Sequence, residues 1–142
     1  MRTINVKRCV CASALLLLIG SAASAGPCTN ASLIGAYGYQ EQGQAIGAGF
    51  SSFRSVGEFI FAGTGNGTRQ STIWYSTFQV VAEGKSGITY TVNPDCTFSL
   101  TYVPNGETFT GVIVDGGQKL LYLETTGDPS RSGQAERLRS NL

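Results

Sequence analysis

The chain predicts an all-β domain: an antiparallel meander of eight or nine short strands, closed into a barrel and tied by one disulfide. Three observations predict it. After residues 1–25 the sequence holds 18 glycines in 117 residues, with many aromatic, Thr and Ser residues and almost no runs of helix formers. Turn signals recur at roughly 8–12-residue intervals with strand-length segments between them. Two cysteines, Cys28 and Cys96, remain in the part expected to be exported.

Residues 1–25 read as a secretory signal. Arg2, Lys7 and Arg8 give the positive start, Val10 to Ile19 is apolar, and Ala23-Ser24-Ala25 is a small-x-small cleavage pattern before Gly26. The apolar run is about half the ~20 residues that a membrane span needs. Pro27 before Cys28 argues against a lipid-anchored form. The expected product is one domain, residues 26–142, exported to the periplasm or the extracellular space. Cys9 and Cys11 leave with the signal, as do three of the ten basic residues, so the net charge falls from +1 to −2. No Lys/Arg cluster remains to bind nucleic acid. An even cysteine pair in an exported chain reads as a structural disulfide.

The strands follow in order. The first is expected at 33–41, after the segment that Cys28 opens. Segments 44–54 and 55–62 come next, with the Gly/Ser-rich stretch from Gly43 to Ser55 read as a bulged, curved strand. Gly63-Thr64-Gly65-Asn66-Gly67 is a hairpin turn, because Asn-Gly favours positive φ. Segment 68–82 precedes a turn at Glu83-Gly84-Lys85-Ser86, and 87–92 precedes Asn93-Pro94-Asp95. Segment 96–103 leads to Pro104-Asn105-Gly106, 108–114 to Asp115-Gly116-Gly117, and 119–126 to Gly127-Asp128-Pro129 before a last strand at 133–139. Closure into a barrel removes exposed edges, with a two-sheet sandwich as the alternative. A membrane-spanning barrel is excluded, since most segments are shorter than ~9–11 residues and the last ends Arg137-Leu138-Arg139.

Several motifs together carry a resemblance. They are Cys28-Thr-Asn-Ala-Ser-Leu-Ile-Gly-Ala-Tyr-Gly-Tyr39, Val56-Gly57 with Gly63-x-Gly65-Asn66, Tyr90-Thr91-Val92-x-x-Asp95-Cys96-Thr97, Val112-Ile113-Val114-Asp115-Gly116-Gly117 and Ser132-Gly133-x-Ala135-x-Arg137. In this order they resemble a group of small exported bacterial β-barrel proteins, similar to calycin-like barrels and to the allene-oxide-cyclase barrel. Ala62 stands where the group's pattern has Asp. The resemblance implies a calycin-like barrel and no general activity, because fold transfers better than function.

Chemistry is mostly excluded. The chain has no histidine, which removes Ser-His and Cys-His catalysis and His-based zinc sites. Both remaining cysteines are expected to be oxidised, and Lys85 and Lys119 sit beside turns. Gly63-Thr64-Gly65-Asn66-Gly67-Thr68 lacks the Lys-Ser/Thr and the helix of a phosphate loop. Asn30-Ala31-Ser32 and Asn66-Gly67-Thr68 match the glycosylation sequon but read as turn-rich coincidence in a bacterial chain. No cofactor or metal is expected.

Two carboxylates stand out. Glu58 shares an alternating face with Val56 and Ile60, and Glu124 shares one with Leu120 and Tyr122. Either one, if turned inward, needs an arginine such as Arg54, Arg69 or Arg137. The candidate pocket residues are therefore Glu58, Glu124, Tyr37, Tyr39, Trp74 and Tyr122. The period-two Thr/Ser rows (Thr89 and Thr91; Thr97, Ser99 and Thr101; Thr108 and Thr110) form an outward polar face.

The leading functional expectation is a non-catalytic exported barrel that binds a small apolar ligand or another surface. One alternative is a cyclase or isomerase of the allene-oxide-cyclase type, with Glu58 or Glu124 and a Tyr hydroxyl steering protons. The other is an envelope or extracellular protein acting through its surface alone. The lumen discriminates: a cavity with a buried carboxylate favours the enzyme, an open apolar cavity the small-ligand binder, and a packed lumen the surface.

Overall fold

The computed structural model describes residues 26–45, 51–76, 81–126 and 131–139. The expected signal segment and the Gly127-Asp128-Pro129 turn lie outside them. Eight antiparallel strands, each hydrogen-bonded to the next, close into a barrel: β1 (Ile34–Ala45), β2 (Ser51–Ala62), β3 (Asn66–Tyr75), β4 (Val81–Val92), β5 (Thr97–Val103), β6 (Thr108–Val114), β7 (Lys119–Glu124) and β8 (Ser132–Arg137). Closure comes from β8 pairing with β1, from Tyr37 opposite Arg137 to Gln42 opposite Ser132. No α-helix occurs among the described residues, and none of their helices is long and apolar enough to cross a membrane.

Two expected boundaries move. Segments 44–54 and 55–62 are not separate strands, and Gly43 to Ser55 is not one bulged strand. The chain reverses between Ala45 and Ser51, and β2 then runs unbroken against β1 from Ser51 to Ala62. The expected turn at Glu83–Ser86 lies inside β4, where Lys85 pairs with Gln70 and Gly84 with Ser71, and the reversal falls between Tyr75 and Val81. A continuous ladder to β3 satisfies more backbone groups than a local turn would, so pairing overrides turn composition.

Alternation along each strand places Tyr37, Phe59, Phe61, Ile88, Phe98, Leu100, Tyr102, Phe109 and Leu120 inside, each no more than 3% exposed. Aromatic rings meet edge-on or tilted across the lumen, as with Phe61 and Tyr90 at 5.0 Å and Tyr102 and Phe109 at 4.6 Å. The space between Phe59, Phe98, Leu100, Phe109, Leu120 and Tyr122 admits no water-sized volume. This part of the barrel is filled by its own side chains.

One end is covered by the N-terminal segment. The short turn Asn30–Ser32 leads into Leu33, which is fully buried. Tyr90 Oη accepts the Gly63 N–H at 2.9 Å and donates to the Leu33 carbonyl at 3.0 Å, while Asn30 Oδ1 accepts the Val92 N–H at 2.8 Å. Tyr37 Oη donates to the Gly117 carbonyl at 2.6 Å and accepts from Arg137 Nη2 at 2.7 Å. Cys28 and Cys96 are joined, so the disulfide fastens this cover to the β4–β5 turn. In that turn Asp95 Oδ1 accepts the Thr97 N–H at 3.0 Å and its hydroxyl at 2.7 Å, and Cys96 takes a left-handed φ of 66°.

Candidate functional site

Beyond the apolar floor the lumen turns polar. Glu41 follows Tyr37 and Tyr39 at period two on β1, so it points inward and is 4% exposed. Its Oε1 accepts hydrogen bonds from Tyr102 Oη at 2.6 Å and Tyr122 Oη at 3.1 Å. Its Oε2 accepts from Arg69 Nη2 at 3.3 Å. The Arg69 guanidinium lies 4.4 Å from the Tyr102 ring centroid and 5.3 Å from that of Tyr39. Carboxylate, cation and three phenols thus form one cluster contributed by β1, β3, β5 and β7.

Glycine makes room for it. A Cβ on Gly133 would stand 2.6 Å from Tyr122 Oη and 2.8 Å from Glu41 Cγ, so only glycine lets β8 pass this close to the pair.

Burial pushes the Tyr102 and Tyr122 phenols well above the usual tyrosine range, and the Glu41 charge adds to the rise. Burial also raises Tyr39, against the opposing pull of Arg69. For Arg69 burial favours proton loss, but the surrounding Tyr102, Glu41 and Tyr39 oxygens outweigh it and hold the guanidinium above its usual value. Protonated phenols can only donate to the carboxylate. The cluster is a clasp of donors on one acceptor group rather than a poised acid–base pair.

A second charged group sits at the rim away from the disulfide. Arg131 Nη1 and Nη2 bind Glu107 Oε2 and Oε1 at 3.0 and 3.2 Å, and its Nε lies 3.4 Å from Glu124 Oε2. Its guanidinium covers Phe53 and Phe109, 5.1 and 5.4 Å from their ring centroids. Burial raises the Glu124 pKa, with Arg131 pulling the other way.

The residues singled out in the sequence fall into two groups. Tyr37, Tyr39, Tyr122 and Glu124 point inward and are buried. Tyr37 belongs to the covered end, Tyr39 and Tyr122 to the Glu41 cluster, and Glu124 to the rim, where its partner is Arg131 rather than Arg54, Arg69 or Arg137. Glu58 and Trp74 do not point into the lumen and line surface clefts instead. Glu58 lies on the outer register of β2 beside Val56 and Ile60, which are 57% and 49% exposed. Both faces of β2 carry apolar side chains, and the register of Phe53, Phe59 and Phe61 goes inside because three aromatic rings bury more surface than Val56 and Ile60, which share their face with Arg54 and Glu58. Trp74 is 43% exposed. It borders an open cleft of about 870 Å³ with Gln42, Phe53, Arg54 and Ser132, which Glu41 does not line.

Glu41 and the inward role of Arg69 went unrecognised in the sequence. The signal was present: extending the Tyr37–Tyr39 alternation by one more step places Glu41 inside. No three His, Cys, Asp or Glu side chains among the described residues are grouped to hold a metal ion.

No protein-family model matches the chain, and no curated protein matches it either.

Proposed function

We propose that this is an exported, non-catalytic barrel that acts by contact, docking a neutral aliphatic protein surface on the outer face of β6, β7, β8, β1 and β2. The observation that carries the reading is a one-sided exterior around an interior whose apolar part is filled. Among the described residues, seven of the nine exposed large hydrophobics (Ile34, Val56, Ile60, Val112, Leu121, Leu123 and Leu138) lie on this side, and the other two are Trp74 and Val103. A concentration of that kind marks an interaction surface. Leu121 lies opposite Val112 on one side and Gln134 on the other, so the aliphatics grade into the neutral Gln40, Gln42 and Gln134 stripe. The outward charges of these strands are Lys119 and Glu136, which pair with each other at 3.5 Å, and Arg54 and Glu58 on β2, so the outward charges balance. A neutral partner suits such a face. The outer face of β4 and β5 instead carries the rows Thr89 and Thr91, and Thr97, Ser99 and Thr101, while Thr108 and Thr110 on β6 border the aliphatic face.

Other features support the same reading. The apolar floor leaves no room for an apolar ligand, and Glu41, whose oxygens already hold three donors, is poorly free to act as the base of a cyclase or isomerase. Kinship to calycin-like and allene-oxide-cyclase barrels remains part of this proposal, consistent with the closed eight-stranded meander. Export to the periplasm or beyond fits the disulfide.

A photo-crosslinking amino acid placed at Leu121, and separately at Thr89 as a control, tests the proposal in the exporting host. A discrete protein adduct is expected at Leu121 and not at Thr89, and it should disappear in the Val112→Thr/Leu123→Thr background. Equal labelling at both positions, or adducts to lipid alone, overturns it.

A further inference from the structure

On the inner wall of β3 and β4, four residues occupy the corners of one rectangle. Arg69 pairs with Ser86 across the ladder, and Ser71 pairs with Gly84. Directly opposed inward side chains have Cβ atoms about 5 Å apart, and successive inward positions on one strand lie about 7 Å apart. Three of the four corners carry a buried polar atom without a well-formed hydrogen bond, Arg69 Nε, Ser71 Oγ and Ser86 Oγ, of which Ser71 keeps only a weak interaction with the Tyr39 hydroxyl. Arg69 and Ser71 are only 8% and 2% exposed. The fourth corner has no side chain, and a Cβ on Gly84 would meet only Ser71 Oγ within 4 Å, at an ordinary 3.6 Å. Buried donors are almost always paired in native proteins, so three poorly satisfied groups around a side-chain-free corner mark a place where something is bound.

Donor chemistry defines the guest. A guanidinium N–H and two hydroxyls converge, which calls for an oxygen acceptor. The charges nearby count against an anion: Arg69 and Arg131 face Glu41, Glu107 and Glu124, leaving the inner set one negative charge in excess. Arg69 already holds Glu41 through Nη2, and its Nε is the free donor. We propose that the β3–β4 inner wall binds the carbonyl oxygen of a small neutral ketone, aldehyde or ester, between Arg69 Nε, Ser71 and Ser86, with the guest's carbon skeleton in the space that Gly84 leaves. This site is separate from the outer docking face and stands or falls without it.

The probe is ¹³C-carbonyl cyclohexanone added to the mature, oxidised protein, with cyclohexanecarboxylate and cyclohexane as comparators. Saturable binding with a downfield shift of the carbonyl resonance is expected, because hydrogen-bond donors polarise the carbonyl. The carboxylate should bind at least tenfold more weakly, and cyclohexane should give no saturable binding. Ser71→Ala/Ser86→Ala should weaken the ketone about tenfold or more, the effect of one or two lost hydrogen bonds. Gly84→Leu should abolish binding by filling the corner. Should Gly84→Leu fail to fold, Gly84→Ala gives the milder test, since its Cβ makes only an ordinary contact, and it should still weaken binding. No saturable ketone binding, preference for the carboxylate, or binding that survives the serine and Gly84 substitutions would overturn the proposal. So would a high-resolution structure with cyclohexanone present that shows a water molecule only at this wall.

Discussion

Tyr102 Oη lies 2.6 Å from Glu41 Oε1, a contact between residues 61 apart in sequence that links β5 to β1 through the middle of the barrel. With Arg69 on the other carboxylate oxygen and Tyr122 beside Tyr102, four strands are tied to one buried group. Such a group stabilises only while every member is satisfied. Glu41→Gln should therefore destabilise the fold by about 3 kcal/mol, the cost of leaving a buried charge unpaired. Tyr102→Phe should cost about 1–2 kcal/mol. Urea unfolding of the two single variants and the double variant checks this, and additive losses would mean that the contact carries no coupling energy.

Glu124 should show the opposite sign. Burial raises its pKa, so the folded state takes up a proton before the unfolded state does. The penalty this adds is present at neutral pH and is relieved as pH falls through the raised value toward the ordinary ~4.3 of glutamate. Glu124→Gln should leave stability at pH 7 unchanged or slightly higher, by under about 1 kcal/mol, because Arg131 keeps its two bonds to Glu107. Between pH 7 and pH 4.5 the parent's Tm should rise relative to that of the variant. A parallel pair of Tm profiles would show that the carboxyl is solvated.

Two further substitutions separate inner from outer positions. Gly133→Ala drives a Cβ against Tyr122 and Glu41 and should cost about 1–3 kcal/mol through overpacking. Glu58→Gln, on the outer register, should change stability by under about 0.5 kcal/mol. Chemical denaturation of both variants decides whether β2 and β8 face as described.

Export and oxidation are read by intact mass. The exported protein should begin at Gly26 and be two mass units lighter than the dithiol. Cys28 and Cys96 are 68 positions apart, so the bridge closes a long loop and contributes about 4 kcal/mol in the chain-entropy view. Reduction should lower Tm by more than 10 °C, since about 1 kcal/mol corresponds to ~4 °C in a domain of this size. A retained N-terminus or two free thiols would refute the maturation reading.

Local chemistry was enough to give the all-β class, the disulfide, the turns at Asn93–Asp95 and Asp115–Gly117, and the strands from β5 to β8; the turn expected at Gly63–Gly67 is confined to Gly63–Gly65, with left-handed φ at those two glycines, and Asn66-Gly67 opens β3. The class, turns and strands depend on residues close in sequence, through period-two alternation and turn residues that accept positive φ, and the disulfide on the count of cysteines beyond the expected signal segment. The end of β1, the reversal before Val81 and the direction in which Glu58 points depended on partners far along the chain. In β2 both faces carry apolar side chains, so its parity is decided only when Phe59 and Phe61 pack inside against Tyr39 and Tyr37 of the neighbouring β1 and Tyr90 of β4. Glu41 and Arg69 stand 28 residues apart and look like ordinary strand polar residues until barrel closure removes water from around both. A sequence shows which side chains alternate, but desolvation and pairing belong to the closed barrel, and they made these two residues the centre of the molecule.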